Sequence, residues 1–293
     1  MSVQQKDPCL ALVYAESGMG KTADTIYAFP KGLFIAAPGA LNSAVGLVGV
    51  DMPHRVEAQH LGHALKIIED NKDKGYPAII LDDLSLLAQR TVLAMEEQGI
   101  KNYDLWGKLL KWILKVADAC RYSAKAHFIM SAHIQPPHDV RGEYVKGGPM
   151  IQGKGAAVIP KHCDLALRAI KNEDRLIWPV VYQCNNSDAS YTTKDRNNVC
   201  ADETPMNLAE IMRASGYNVP RIFDWQEALV EKLAGVLQGK SKEETLEMLR
   251  AAKAQIQDKY TKNDLHIAWT FRDAIDRAVI RATRNTPLRR LGI

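Results

Sequence analysis

No stretch of this 293-residue chain reaches 18 consecutive apolar residues, so a membrane-spanning helix is not expected. The first residues, Met1 to Lys6, are polar and lack the apolar core of a secretory signal. Cysteine is scarce and unpatterned: five residues, an odd number, with no C-x-x-C spacing, which argues against a disulfide scaffold. The expected setting is therefore cytoplasmic, with reduced thiols. Metal-ligand patterns are equally thin. His54, His60 and His63 have no convincing acidic or thiol partner, and Cys163, Cys184 and Cys200 with His162 lack zinc spacing. No Ser-His-Asp arrangement is supported, and there is no internal repeat or low-complexity tract. What remains is 46% apolar, enough for a packed core, and long enough for one large domain and a smaller appendage.

Against those absences one segment stands out. Residues 14–22 read Tyr-Ala-Glu-Ser-Gly-Met-Gly-Lys-Thr, after the apolar run Cys9 to Tyr14 and before a helix-compatible stretch. A strand, a glycine loop ending Gly-Lys-Thr and a helix form the phosphate-binding P-loop context. Glycines at 18 and 20 let backbone N–H groups turn inward around phosphate oxygens, together with the amides of Ser17 and Met19. The helix N-terminus adds partial positive charge. Lys21 is expected to reach the β- and γ-phosphates and the Thr22 hydroxyl to ligate Mg²⁺. Ala15 stands where such loops usually carry their first glycine.

The second half of the site is expected downstream. Ala78-Ile79-Ile80-Leu81-Asp82-Asp83 is a buried-strand pattern that delivers two carboxylates at its C-terminal end, where open α/β sheets bind ligands. Asp82 is the expected Mg²⁺ holder. Asp83 either orients the attacking water or caps the next helix. Ser131-Ala132-His133 closes a further short strand, and His133 is the candidate sensor of nucleotide state, with local hydrogen bonding as the alternative.

Strand-like runs at 33–37, 78–81, 127–131, 164–168, 178–183 and 190–193 alternate with helical patterns. One of these is 104–120, with Leu105, Leu109, Trp112, Ile113 and Val116 on one face. This predicts an α/β, mostly parallel sheet, with the closely spaced later strands as an antiparallel extension. After Pro220 strand signals stop. Residues 224–237, 241–260 and 264–284 read as helices, with Gly239 closing the first and a Ser241/Glu244 capping box opening the second. The expected division is 1–220 for the nucleotide-binding domain and 221–293 for a C-terminal helical domain.

Three segments suggest partners. Gln135 to Gly155 is dense in glycine and proline, so no regular element is expected there. Its Arg141, Tyr144, Lys146 and Lys154 suit a single nucleic-acid strand, charges meeting phosphates and the ring stacking on a base. Lys194-Asp195-Arg196 presents two cations after a strand; cations of this kind complete a phosphate site, often a neighbouring subunit's. The net charge of +4 lies wholly in 221–293, which holds 14 Lys and Arg against 10 Asp and Glu. There Arg277, Arg281 and Arg284 form either a nucleic-acid contact or a solvated helix face.

Taken together, Ala15–Thr22, Ile79–Asp83, Asp104-Leu105-Trp106-Gly107, Ser131–His133, Gly148-Pro149-Met150 with Gly153-Lys154, and Lys194–Arg196 give a set that resembles phage-encoded RecA-like P-loop ATPases, the group that includes single-strand annealing and recombination ATPases. The resemblance covers about residues 8–215. It implies a RecA-like core, ATP with Mg²⁺, homo-oligomers with active sites between subunits, single-stranded DNA as partner and, for a phage protein, the host cytoplasm. One departure bears on activity. Members of this group usually carry an acid after the second strand, where this chain reads Phe34-Ile35-Ala36-Ala37-Pro38-Gly39. Hydrolysis then depends on Asp83 or Glu16, and the alternative is a nucleotide-regulated assembly protein with little or no turnover. A small-molecule P-loop kinase is the weaker third reading, since an arginine-bearing lid is absent.

Overall fold

The computed structural model describes residues 8–44, 53–123, 125–171, 180–184, 188–220, 234–241, 243–244, 247–248 and 251. The chain divides into two compact units, one of 1–45, 52–170 and 180–219, the other of 46–51, 171–179 and 220–293. The predicted arginine cluster at 277, 281 and 284 and the helices beyond 251 lie outside the described residues. In the second unit Ser241 and Glu244 do form the reciprocal capping box: Ser241 N–H donates to Glu244 Oε2 at 2.7 Å and Glu244 N–H to Ser241 Oγ at 3.1 Å.

The first unit is built on a mixed sheet. Its parallel part consists of β1 (Leu10–Ala15), β2 (Leu33–Ala36), β3 (His54–Glu57), β4 (Ala78–Asp82), β5 (His127–Gln135) and β9 (Leu165–Lys171). Shorter strands complete it: β8 (Gly148–Pro149), β10 (Val180–Gln183), β11 (Lys194–Asp195) and β12 (Glu203–Pro205); β6 (His138–Val140) and β7 (Glu143–Val145) form a separate hairpin. The order across the sheet is β12-β10-β9-β1-β5-β4-β2-β3, with β11 on β9 and β8 on β5. The expected antiparallel extension is present, as β12 on β10 and β11 on β9.

Strands β1, β2 and β4 are buried at every position, which is why they read as continuous apolar runs rather than alternating ones. One face carries α2 (Leu61–Asn71), α3 (Leu84–Glu97), α4 (Asn102–Ser123) and α5 (Gly155–His162). Leu61, Ile68, Leu87, Leu109, Ile113, Val116 and Ile159 from these helices pack on Leu12, Tyr14, Ile35, Leu81 and Met130. The other face carries α1 (Lys21–Ala28) and α6 (Leu208–Ala214), joined through buried Asp24, which accepts from the Tyr182 hydroxyl and from Leu208 N–H.

The 135–155 segment departs from expectation. It holds a regular hairpin, β6 paired with β7, and then the two-residue β8 paired back onto Ile134 and Gln135. Arg141 (φ 53°) and Gly142 (φ 82°) form its two-residue turn, both left-handed, as the tightest hairpins require. The density of glycine that seemed to exclude a strand is what permits this one. The strand expected at 190–193 is likewise displaced: Tyr191 makes a single bridge to Gly147, and the ladder begins at Lys194.

Candidate functional site

Parallel strands place all their C-terminal ends at one edge, and the strand order decides which side chains meet there. β5 lies between β1 and β4, so His133 stands level with Ala15. Ser131 stands level with Asp82, one step on from the Leu81–Met130 pair. The loop 16–20 leaves β1 at this edge and enters α1. Gly18 (φ 78°) and Gly20 (φ 85°) are both left-handed, and a side chain on Gly18 would meet nothing within 4 Å. Left-handed glycines at these two positions give the loop the backbone freedom that a phosphate cradle needs.

Lys21 is buried, and its ammonium is turned back onto the loop, 3.2 Å from Ala15 O and 2.9 Å from Glu16 O. Burial pulls its pKa down, opposed by the nearby carboxylates of Asp83 and Asp82. Thr22 Oγ1 donates to Asp82 Oδ2 at 2.8 Å, and Ser131 Oγ donates to Asp82 Oδ1. Burial raises the Asp82 pKa, and the two hydroxyls partly counter that by stabilising the ionised form. Among the described residues no cationic side chain forms an ion pair with Asp82; two neutral donors hold it instead. That arrangement suits a carboxylate that receives a cation from outside, and Thr22 and Asp82 fit Mg²⁺ in donor type, hard oxygens only.

Of the two roles foreseen for Asp83, the cap of the next helix is present, and its other oxygen faces His133. Its Oδ1 accepts from Leu86 N–H at 2.7 Å, which caps α3. Its Oδ2 lies 2.8 Å from His133 Nε2. The backbone of His133 is held at both ends: its N–H donates to Ser85 Oγ at 2.9 Å, and its carbonyl accepts from Met150 N–H at 2.7 Å. A continuous path of hydrogen bonds thus runs from the second aspartate through His133 to the segment that closes the hairpin. The side chain of Glu16 is exposed at the start of the loop, and its contribution to the site is a backbone carbonyl.

Lys194 and Arg196 are not brought to this edge. β11 runs antiparallel to β9 and carries them to the opposite end of the sheet. There Lys194 Nζ donates to Lys161 O at 2.7 Å, and Arg196 pairs with Asp164 at 3.0 Å. Arg121 pairs with the same carboxylate oxygen at 3.1 Å. The two cations are therefore remote from their own chain's P-loop. Arg141, Tyr144 and Lys146 stand exposed on the hairpin, and Lys154 is exposed at the start of α5.

Two features escaped sequence reading. Ser131 is 49 residues from Asp82, and only the register of β4 on β5 makes them partners. Glu57, at the end of β3 and level with Ala36, puts an exposed acid at the same edge, two strands out from β4, which leads into Asp83. No signal marks it, because the β3 sequence His-Arg-Val-Glu is polar. Among the described residues no cluster of His, Cys, Asp or Glu forms a ready metal site, and no helix is long and apolar enough to cross a membrane.

A family model described as an AAA domain (AAA_24) matches residues 8–197. No curated protein matches the chain. Among solved structures, a KaiC-like protein from the hyperthermophilic archaeon Pyrococcus horikoshii OT3 is similar over 61% of this chain and 79% of its own, at 10% identity and a TM-score of 0.40.

Proposed function

The chain belongs to the AAA-domain family, and on that premise we propose that it binds and hydrolyses MgATP as an oligomer acting on single-stranded DNA, in recombination, annealing or replication of a phage genome. The observation that supports the nucleotide site best is Asp82, held by the Thr22 and Ser131 hydroxyls close to Lys21.

In this reading Lys21 exchanges its two backbone acceptors for phosphate oxygens, aided by the N–H groups of residues 17–20. Thr22 and Asp82 hold Mg²⁺, which when bound neutralises charge on the phosphates. Asp83 is already engaged on both oxygens, so it acts with His133 rather than alone. The pair orients the attacking water, with His133 Nε2–H holding the Asp83 carboxylate, and a proton leaving that water has that carboxylate to accept it. Glu16 is the second candidate for this task. His133 relays the state of the site to the hairpin through the Met150 amide. Arg141, Tyr144, Lys146 and Lys154 contact the strand, joined by Arg277, Arg281 and Arg284. Lys194 and Arg196 serve a neighbouring subunit's phosphates, since they cannot reach their own.

The second reading, nucleotide-dependent assembly with little turnover, is favoured by one observation: β2 ends Ala36-Ala37, without an acid. Steady-state ATP hydrolysis with and without oligo(dT), with mass by light scattering, separates the two. Turnover stimulated by DNA in an oligomer supports the ATPase. ATP-dependent growth in mass without turnover supports the assembly protein.

A further inference from the structure

The first turn of α4 exposes aromatic surface that the nucleotide site does not use. Tyr103 is 94% exposed and Trp106 45%, one helical turn apart on the same face. α4 leads into β5 at the sheet's N-terminal end, so the start of α4 lies at the opposite end, the edge of the P-loop and the hairpin. The contact is direct. Gly153 (φ 68°) lies against the Trp106 ring so closely that a Cβ there would sit 3.4 Å from the indole. A Cβ on Gly155 would come within 2.9 Å of Ile113 on the same helix. Gly155 is the position with no room for a side chain, wedged between Ile113 and Ile151, and Gly153 reaches its place through its left-handed backbone, so 150–155 packs directly on α4. Exposed Lys154 follows Gly153, and Met150, half-exposed, hangs from the His133 carbonyl.

We infer that Trp106, with Tyr103 beside it, is a base-stacking platform for single-stranded nucleic acid, continuous with the hairpin through Gly153 and Lys154. This rests on the proposed single-strand partner. Stacking accepts any base, because every base offers a π-face, and it needs an exposed ring next to a cation that takes the phosphate. Trp106 and Lys154 supply that pair, and Tyr144 with Arg141 and Lys146 on the hairpin repeats it. A protein partner fits less well, since lysine is depleted at the cores of protein interfaces, and exposed lysines stand two residues before Tyr103 and next to Gly153, which touches Trp106.

The test is fluorescence anisotropy of labelled oligo(dT) against the full-length protein across a salt series, with light scattering and thermal melting on each variant. Trp106→Ala is expected to weaken binding by roughly tenfold, the scale of one base–aromatic stack, with the salt slope unchanged. Trp106→Phe keeps a ring and is expected to retain most of the affinity, which separates stacking from a folding defect. Lys154→Ala is expected to lower the slope instead. Wild-type affinity in Trp106→Ala overturns the platform while leaving the hairpin reading intact. A smaller oligomer in Trp106→Ala with unchanged affinity for DNA assigns the patch to contacts between subunits and also overturns it. Absence of binding by the wild-type protein removes the single-strand reading itself.

Discussion

The two edges of the central sheet solve the same electrostatic problem in opposite ways. Each buries an aspartate at a strand end. At the P-loop edge Asp82 is held by two hydroxyls and, among the described residues, lacks an ion pair. At the far edge Asp164 is paired with Arg121 and Arg196 and also accepts from Leu10 N–H at 3.0 Å. A buried carboxylate without a cation is costly to keep ionised. The far edge meets that cost with resident arginines, and its polar groups tie β1 to β9. The P-loop edge leaves it partly unmet, which raises the Asp82 pKa; in the proposed function that charge is reserved for a bound cation. In the proposed function one edge serves stability and the other a ligand.

The largest expected effect comes from the loop lysine. Lys21→Ala is expected to abolish binding of a fluorescent ATP analogue while the melting temperature stays close to wild type, because among the described residues the hydrogen bonds of Lys21 go to two loop carbonyls. Retained binding would remove the loop from the account. Next is the far edge's possible second duty. Arg196→Ala should spare nucleotide binding and lower turnover by on the order of 10³-fold if it serves a neighbour's site. Unchanged turnover would confine Arg196 to its pair with Asp164.

The two aspartates then separate stability from ligand binding. Asp164→Ala strands the buried Leu10 N–H and is expected to cost about 2 kcal/mol in chemical denaturation. Asp82→Asn removes a charge that burial already disfavours, so it should leave stability near wild type yet eliminate the Mg²⁺ dependence of ATP binding. Equal losses of stability would erase the contrast between the edges.

The smallest effect is a pH dependence at the far edge. His127 is buried, accepting from Cys9 N–H at Nδ1 and set 3.0 Å from Asn218 O at Nε2, a pattern that the neutral ring satisfies at both nitrogens. Burial lowers its pKa from the ordinary 6.5. The unfolded chain therefore takes up a proton at a pH where the folded one does not. His127 takes nothing from stability above that ordinary value and is expected to lower it progressively as pH falls below. Melting temperature measured from pH 7.5 to 5.5 should drop, with a shallower slope in His127→Gln. Parallel slopes would clear His127 of that role.

How much of this was legible depends on distance along the chain. The P-loop could be read because its strand, loop and helix start are contiguous, and Asp82 because an all-buried strand leads into it. The Asp82–Ser131 and Asp83–His133 pairs are hydrogen bonds across roughly 50 positions, and no local pattern reports them. β3 was invisible because its residues are polar and mostly exposed; only pairing with β2 makes it a strand. The hairpin was hidden by its own turn chemistry, since Arg141-Gly142 in a glycine-rich tract reads equally as a loop. The position of Lys194 and Arg196 followed from β11 running antiparallel, which spacing does not encode.

The claim at the centre of this account is that the nucleotide edge and the hairpin are coupled through Asp83, His133 and the Met150 amide. Hydrogen exchange of residues 148–154 with and without MgATP tests it most directly. The account predicts that MgATP changes exchange in this segment in the wild-type protein and not in His133→Ala, while both bind the nucleotide. An unchanged rate in the wild-type protein at saturating MgATP would contradict it.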